Sequence, residues 1–171
     1  MEINSKLKRT AVDALLTALS LIIFILEAQI PSPVPVPGIK LGLANIITLV
    51  AVSLIGKRDA GIILLLRIIL GSVFAGTPVS FIYSMAGGIC CYLVICLFYR
   101  FLNGNRLWAL SVFGAAAHNL GQLVVASFIM GSTAVFWYIP ALLLSAIITG
   151  TFTGLCACFT INRIKKGVIR K

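Results

Sequence analysis

Six apolar runs, each about as long as a bilayer is thick, leave this chain few folds to choose from. They fall near residues 10–29, 39–56, 60–76, 78–99, 107–130 and 133–162. A membrane-spanning helix needs about 20 mostly apolar residues. The sequence therefore predicts an all-α integral membrane protein, a bundle of six transmembrane helices. Composition agrees: 60% of the 171 residues are hydrophobic and 11% charged, more apolar surface than a soluble domain of this size could hide. No polar linker or low-complexity tract divides the chain and no repeat is evident, so residues 1–171 read as one membrane domain.

The formal charge of +10 would point to nucleic acid in a soluble protein, but here the positions of the basic residues matter more than their number. Lys6, Lys8 and Arg9 precede the first run, Lys57 and Arg58 separate the second and third, and Arg100 and Arg106 separate the fourth and fifth. Arg163, Lys165, Lys166, Arg170 and Lys171 follow the sixth, while the turns at 30–38, 76–78 and 130–133 carry no Lys or Arg. By the positive-inside rule both termini are expected in the cytoplasm of a bacterial plasma membrane, with no role for nucleic acid. Trp108 at the inner start of the fifth run, and Trp137 and Tyr138 at the outer start of the sixth, fit an interfacial belt. The basic N-terminus followed by an apolar run resembles a signal peptide, yet the run has full spanning length and no convincing cleavage site follows, so it reads as a retained first helix.

The first outer turn is unusual. Pro31, Pro33, Pro35 and Pro37 alternate through "IPSPVPVPGIK" and end at Gly38. Four fixed φ angles and four missing donors favour an extended path. The segment reads either as a stiff turn or as a preorganised lid over a pocket.

Several chemistries lack their residues. The two aspartates, Asp13 and Asp59, are too few and too far apart for the carboxylate clusters that hold Mg²⁺ on diphosphates. The one Gly-Lys step, Gly56–Lys57, lacks the first glycine of a Walker loop and is followed by Arg58. A single histidine gives no Ser-His-Asp relay. Cys90, Cys91, Cys96, Cys156 and Cys158 have no paired metal-ligand spacing and read as packing residues. No enzyme, metal or cofactor is expected.

Charged and polar residues inside the runs need a reason, because burying them in hydrocarbon costs a few kcal/mol even on lenient scales. Arg67 in "LLLRIILG" is deep enough to be functional or ion-paired, though snorkelling is an alternative. Glu27 and Lys40 flank the proline turn and either pair with each other or face a cavity mouth. Gln29, Asn45, Ser80, Tyr83 and Ser84 add polar groups at comparable depth. His118 and Gln122 share a helix face, with Asn119 beside them, in "GAAAHNLGQL". Small residues at four-residue spacing, Ala14 with Ala18 and Ala146 with Gly150 and Gly154, mark helix contacts either within the bundle or with a partner.

"LEAQIPSPVPVPGIKLGLANI", "LRIILGSVFAGT", "YSMAGGI" and "AHNLGQL" together resemble the membrane family labelled heptaprenyl diphosphate synthase component I, also called Gx transporter proteins. That family is similar in architecture to the substrate-binding S components of energy-coupling-factor transporters. The resemblance implies that Ala14 and Ala18 dock against a coupling membrane protein that works with ATPase subunits, and that residues 30–38 cover an outward-facing pocket. The leading expectation is thus a substrate-capture subunit binding a small vitamin-like, acidic or phosphorylated molecule through Glu27, Lys40, Asn45, Arg67, Tyr83, His118, Asn119 and Gln122. The alternatives are a non-catalytic membrane component of polyprenyl diphosphate synthesis beside a soluble prenyltransferase subunit, and a structural membrane protein whose polar residues only tie helices together.

Overall fold

The computed structural model describes residues 2–30, 39–75, 78–102 and 106–169. Helix α1 runs Glu2–Glu27, α2 Asn45–Leu54, α3 Lys57–Ala75, α4 Pro78–Phe98, α5 Leu107–Met130 and α6 Ile139–Ile169, with a 3₁₀ segment, Thr133–Tyr138, leading into α6. Among the described residues there is no strand. Helix α1 stops before the prolines, whose rings cannot continue a helix. Pro78 opens α4, where a missing N–H costs nothing. The proline ladder Pro31–Pro37 and Gly38, expected as a lid, lie outside the described residues.

Four stretches are long and apolar enough to cross a membrane: Lys6–Glu27, Pro78–Phe98, Leu107–Met130 and Thr133–Lys166. The chain is a membrane protein, but the six expected spans are not all of one kind. Helix α3 has 19 residues but carries Lys57, Arg58 and Asp59 in its first turn and Arg67 in its middle. The run expected at 39–56 is helical only over the 10 residues of α2, which span about 15 Å, half a hydrocarbon core.

That short helix is the centre of the molecule. Helices α1, α3, α4, α5 and α6 follow one another around it, each packing on the next, and every one of them touches α2. Asn45 and the run Ile47–Val52 are buried. A helix apolar all round belongs inside other helices. The outer wall faces the other way: Leu144, Ile148, Phe152, Leu155 and Phe159 along α6 are all exposed, as lipid contact requires. Trp108 and Trp137 are exposed too.

Two apolar clusters fill the interior. One surrounds Leu49, Val50, Ile63, Ile95, Leu110 and Ile161; the other joins Ile39, Tyr83, Leu123, Val135 and Leu142. At the basic end of the bundle Arg9 meets Asp59 through two hydrogen bonds of 2.6 Å, fastening the start of α1 to that of α3. The guanidinium holds the Asp59 carboxyl below the usual carboxylate range. The tie is therefore present at neutral pH and is lost as pH falls through that lowered value.

The stripe Ala146, Gly150, Gly154 is internal packing, not a partner surface: all three are buried, and α6 lies so close to α5 that a Cβ on Gly150 would stand 2.6 Å from Val112 Cα. Gly150→Leu is expected to lower thermal stability in detergent by about 1–3 kcal/mol through overpacking. The lipid-facing Ile148→Ala is expected to stay within about 0.5 kcal/mol of the parent. Equal melting temperatures for the two variants would contradict this packing.

Candidate functional site

Residues 39–44 enter the bundle without forming a helix, yet Ile39 and Ala44 are buried. Non-helical backbone at this depth survives only where protein groups satisfy it. Glu27, the last residue of α1 and 4% exposed, does most of that: its carboxylate accepts the N–H of Gly42 at 2.5 Å and of Ala44 at 3.3 Å. Gln122 of α5 accepts the Lys40 N–H at 3.1 Å. Glu27 thus takes the place of a cap for α2, whose N-cap Ala44 has no capping side chain, and its charge lies at the positive end of the helix dipole.

Two glycines hold the His118 ring. A Cβ on Gly42, whose φ is +78°, would lie 2.8 Å from His118 Cδ2, and one on Gly87 of α4 would lie 2.7 Å from Cε1. The "MAGG" stretch therefore makes room for an imidazole. The ring bridges Asn45 at 3.1 Å and Gln122 at 3.0 Å.

Hydrogen-bond polarity runs inward from Arg67. Its Nη2 donates to Asn45 Oδ1 at 3.3 Å, so the Asn45 amide nitrogen donates to His118 Nδ1, while the amide nitrogen of Gln122 faces Nε2. The Gln122 oxygen is taken by the Lys40 N–H, and of the two amide nitrogens facing the ring only one finds an acceptor, since a neutral imidazole accepts at one nitrogen. Lys40 Nζ donates to Ser80 Oγ at 2.9 Å and stands 3.7 Å above the Phe24 ring. Arg67, 2% exposed, lies 5.6 Å from the same ring, and its buried Nε has no hydrogen-bond partner. The groups close on one another without room for a water molecule.

Six of the expected residues therefore converge: Glu27, Lys40, Asn45, Arg67, His118 and Gln122. Of the two readings of Glu27 and Lys40, an ion pair or a shared cavity mouth, the pair does not form; among the described residues the one ion pair is Arg9–Asp59 at the other end. Asn119 turns away, donating to the Leu142 carbonyl of α6 at 2.8 Å, because one residue beyond His118 is about 100° round the helix. Tyr83 packs in an apolar cluster and Gln29 is exposed. Ala14 and Ala18 lie on the exposed face of α1. Phe24 and Gly42 escaped the sequence reading. The spacing of Thr17, Ser20, Phe24 and Glu27, all buried, is a helical stripe that could have revealed Phe24.

A second feature lies at the basic end. The wall is open between α1 and α6, and an apolar groove of about 560 Å³ occupies the gap, lined by Val12, Leu15 and Leu16, by Ser53, Leu54 and Ile55, and by Ile164 and Lys165. That volume is within the ~300–1,000 Å³ of small-molecule clefts. Among the described residues no group of three or more His, Cys, Asp or Glu converges to hold a metal.

Apolar spanning helices around a short central helix, with a polar layer buried between two apolar clusters, define a helical membrane protein with an internal polar site. The chain belongs to the heptaprenyl diphosphate synthase component I family, whose model matches residues 16–160 and so includes every member of the polar layer. Component I is a non-catalytic subunit, in agreement with the expectation that this chain is not itself an enzyme. Searches of curated proteins and of solved structures gave no significant match.

Glu27→Gln is expected to destabilise the protein by about 1–3 kcal/mol, since an amide can accept from one of the two backbone donors but presents N–H to the other. Gly42→Ala adds left-handed backbone strain of roughly 1–2 kcal/mol and displaces His118. Thermal unfolding in detergent measures both; a neutral Glu27→Gln would show that the carboxylate does not support the segment.

Proposed function

We propose that the chain is a membrane-embedded, non-catalytic component of polyprenyl diphosphate synthesis, holding a separate soluble prenyltransferase at the bilayer. The family match over residues 16–160 carries this reading. Charge supports an arrangement with the basic end in the cytoplasm of a bacterial plasma membrane, as the positive-inside rule favours. Lys57, Arg58, Arg163 and Lys166 then face the catalytic subunit, and the groove between α1 and α6 gives an elongating isoprenoid tail an apolar path beside the bilayer. Neutralising those four residues to glutamine is expected to reduce co-purification of the catalytic subunit at least several-fold and to flatten its salt dependence, while His118→Ala leaves it unchanged. Association that survives the fourfold change but fails with His118→Ala would overturn the proposal.

A specific observation favours a second reading, capture of a small vitamin-like solute from outside in the manner of transporter S components. Polar side chains from four helices and the unwound segment converge in one buried layer, with Gly42 and Gly87 leaving the space that the His118 ring takes. In this reading the exposed Ala14–Ala18 face docks a coupling membrane protein bearing ATPase subunits. Ala14→Trp with Ala18→Trp should abolish both uptake and co-purification of that protein. Unchanged uptake and co-purification in the double variant would sink the docking scheme.

A further inference from the structure

The polar layer has more donors than acceptors and more positive than negative charge. Lys40 and Arg67 both reach the Phe24 ring, yet the one carboxylate nearby, Glu27, has its oxygens turned to the Gly42 and Ala44 N–H groups. Neither cation forms an ion pair with it. Two amide nitrogens, from Asn45 and Gln122, face an imidazole that accepts at one nitrogen when neutral, and Arg67 Nε is buried with nothing to donate to. A guanidinium edge with a free Nε presents two parallel donors, the pattern that grips a carboxylate or phosphate with both oxygens.

We infer that Lys40 and Arg67, walled by Phe24, form a binding site for an oxyanion, a phosphate or carboxylate group carried by the ligand. Arg67 supplies the fork and the depth; the layer is closed in this structure, and Lys40, half-buried at the rim with Ser80 as its side-chain hydrogen-bond partner and the Phe24 ring beneath it, supplies the second charge and swings aside to admit the group. Glu27 is a strut in this arrangement, holding the backbone of residues 42–44 so that the cations keep their places without being neutralised. The oxyanion supplies the acceptors that the layer lacks and offsets its charge. The inference rests on the solute-capture reading and names the charge class of the ligand.

The full chain, purified in detergent, is titrated with phosphate, diphosphate and acetate against chloride at matched ionic strength, and its unfolding temperature is followed. Native mass spectrometry of the same preparation identifies any retained ligand. A saturable rise in unfolding temperature with at least one oxyanion is expected. Arg67→Lys, which keeps the charge but loses the fork, and Lys40→Gln should each weaken the apparent affinity by roughly tenfold or more, whereas Arg100→Gln at the basic end should not change it. Lys40→Gln keeps the test informative should Arg67 variants fail to fold. No saturable rise, or a rise equally strong in Lys40→Gln, overturns the inference. A retained uncharged ligand released by Gly87→Ala overturns it while leaving solute capture standing; no retained ligand and no anion effect together remove both.

Discussion

The Glu27 carboxylate, holding the unwound backbone ahead of α2, is the contact on which the rest depends. Residues 39–44 bring bare N–H groups into the interior of a membrane bundle, where each unsatisfied group costs several kcal/mol. By accepting from Gly42 and Ala44, one side chain from the end of α1 lets the chain enter without a helix and begin α2 halfway through the bundle. Were the entry helical, its side chains would crowd the space that the His118 ring takes against Gly42. The polar layer exists because the central helix is short.

The layer also shows how a membrane protein can keep charge inside. Arg67 is stabilised by one amide oxygen and an aromatic face rather than by a carboxylate, and Lys40 by a hydroxyl and the same ring. Cation–π contacts strengthen when desolvated, so Phe24 serves two cations at once. Apolar clusters on either side exclude water and raise the worth of each polar contact.

Much of this was legible in the sequence, and what was not has physical causes. Arg67, His118 and Gln122 stand out because polar groups inside apolar runs are expensive, and all three meet. Asn119 was expected in the same site, but it lies about 100° round the helix from His118 and turns to α6 instead. The extent of α2 was hidden, because Ile39, Leu41 and Leu43 are as apolar as the helix that follows and hydropathy does not sense backbone conformation. Gly42 and Gly87 were invisible as ring clamps, since what a glycine makes room for lies on another helix. The Ala146–Gly150–Gly154 and Ala14–Ala18 stripes look alike in sequence; only the fold shows that the first is covered by α5 and the second is exposed.

The open wall between α1 and α6 bears on how the protein is made. A closed ring would need its first-synthesised helix to wait for its last. Here each helix of the wall finds its main partner among near neighbours in the chain, α1 with α3, α3 with α4, α4 with α5 and α5 with α6, so the arc can grow in the order of synthesis. Its polar layer cannot: Glu27, Asn45 and Arg67 are in place early, but the Asn45 amide and the Lys40 N–H lack their partners until α5 delivers His118 and Gln122. The membrane must therefore shelter an unpaired side-chain amide and a bare backbone N–H for as long as α4 and α5 take to arrive.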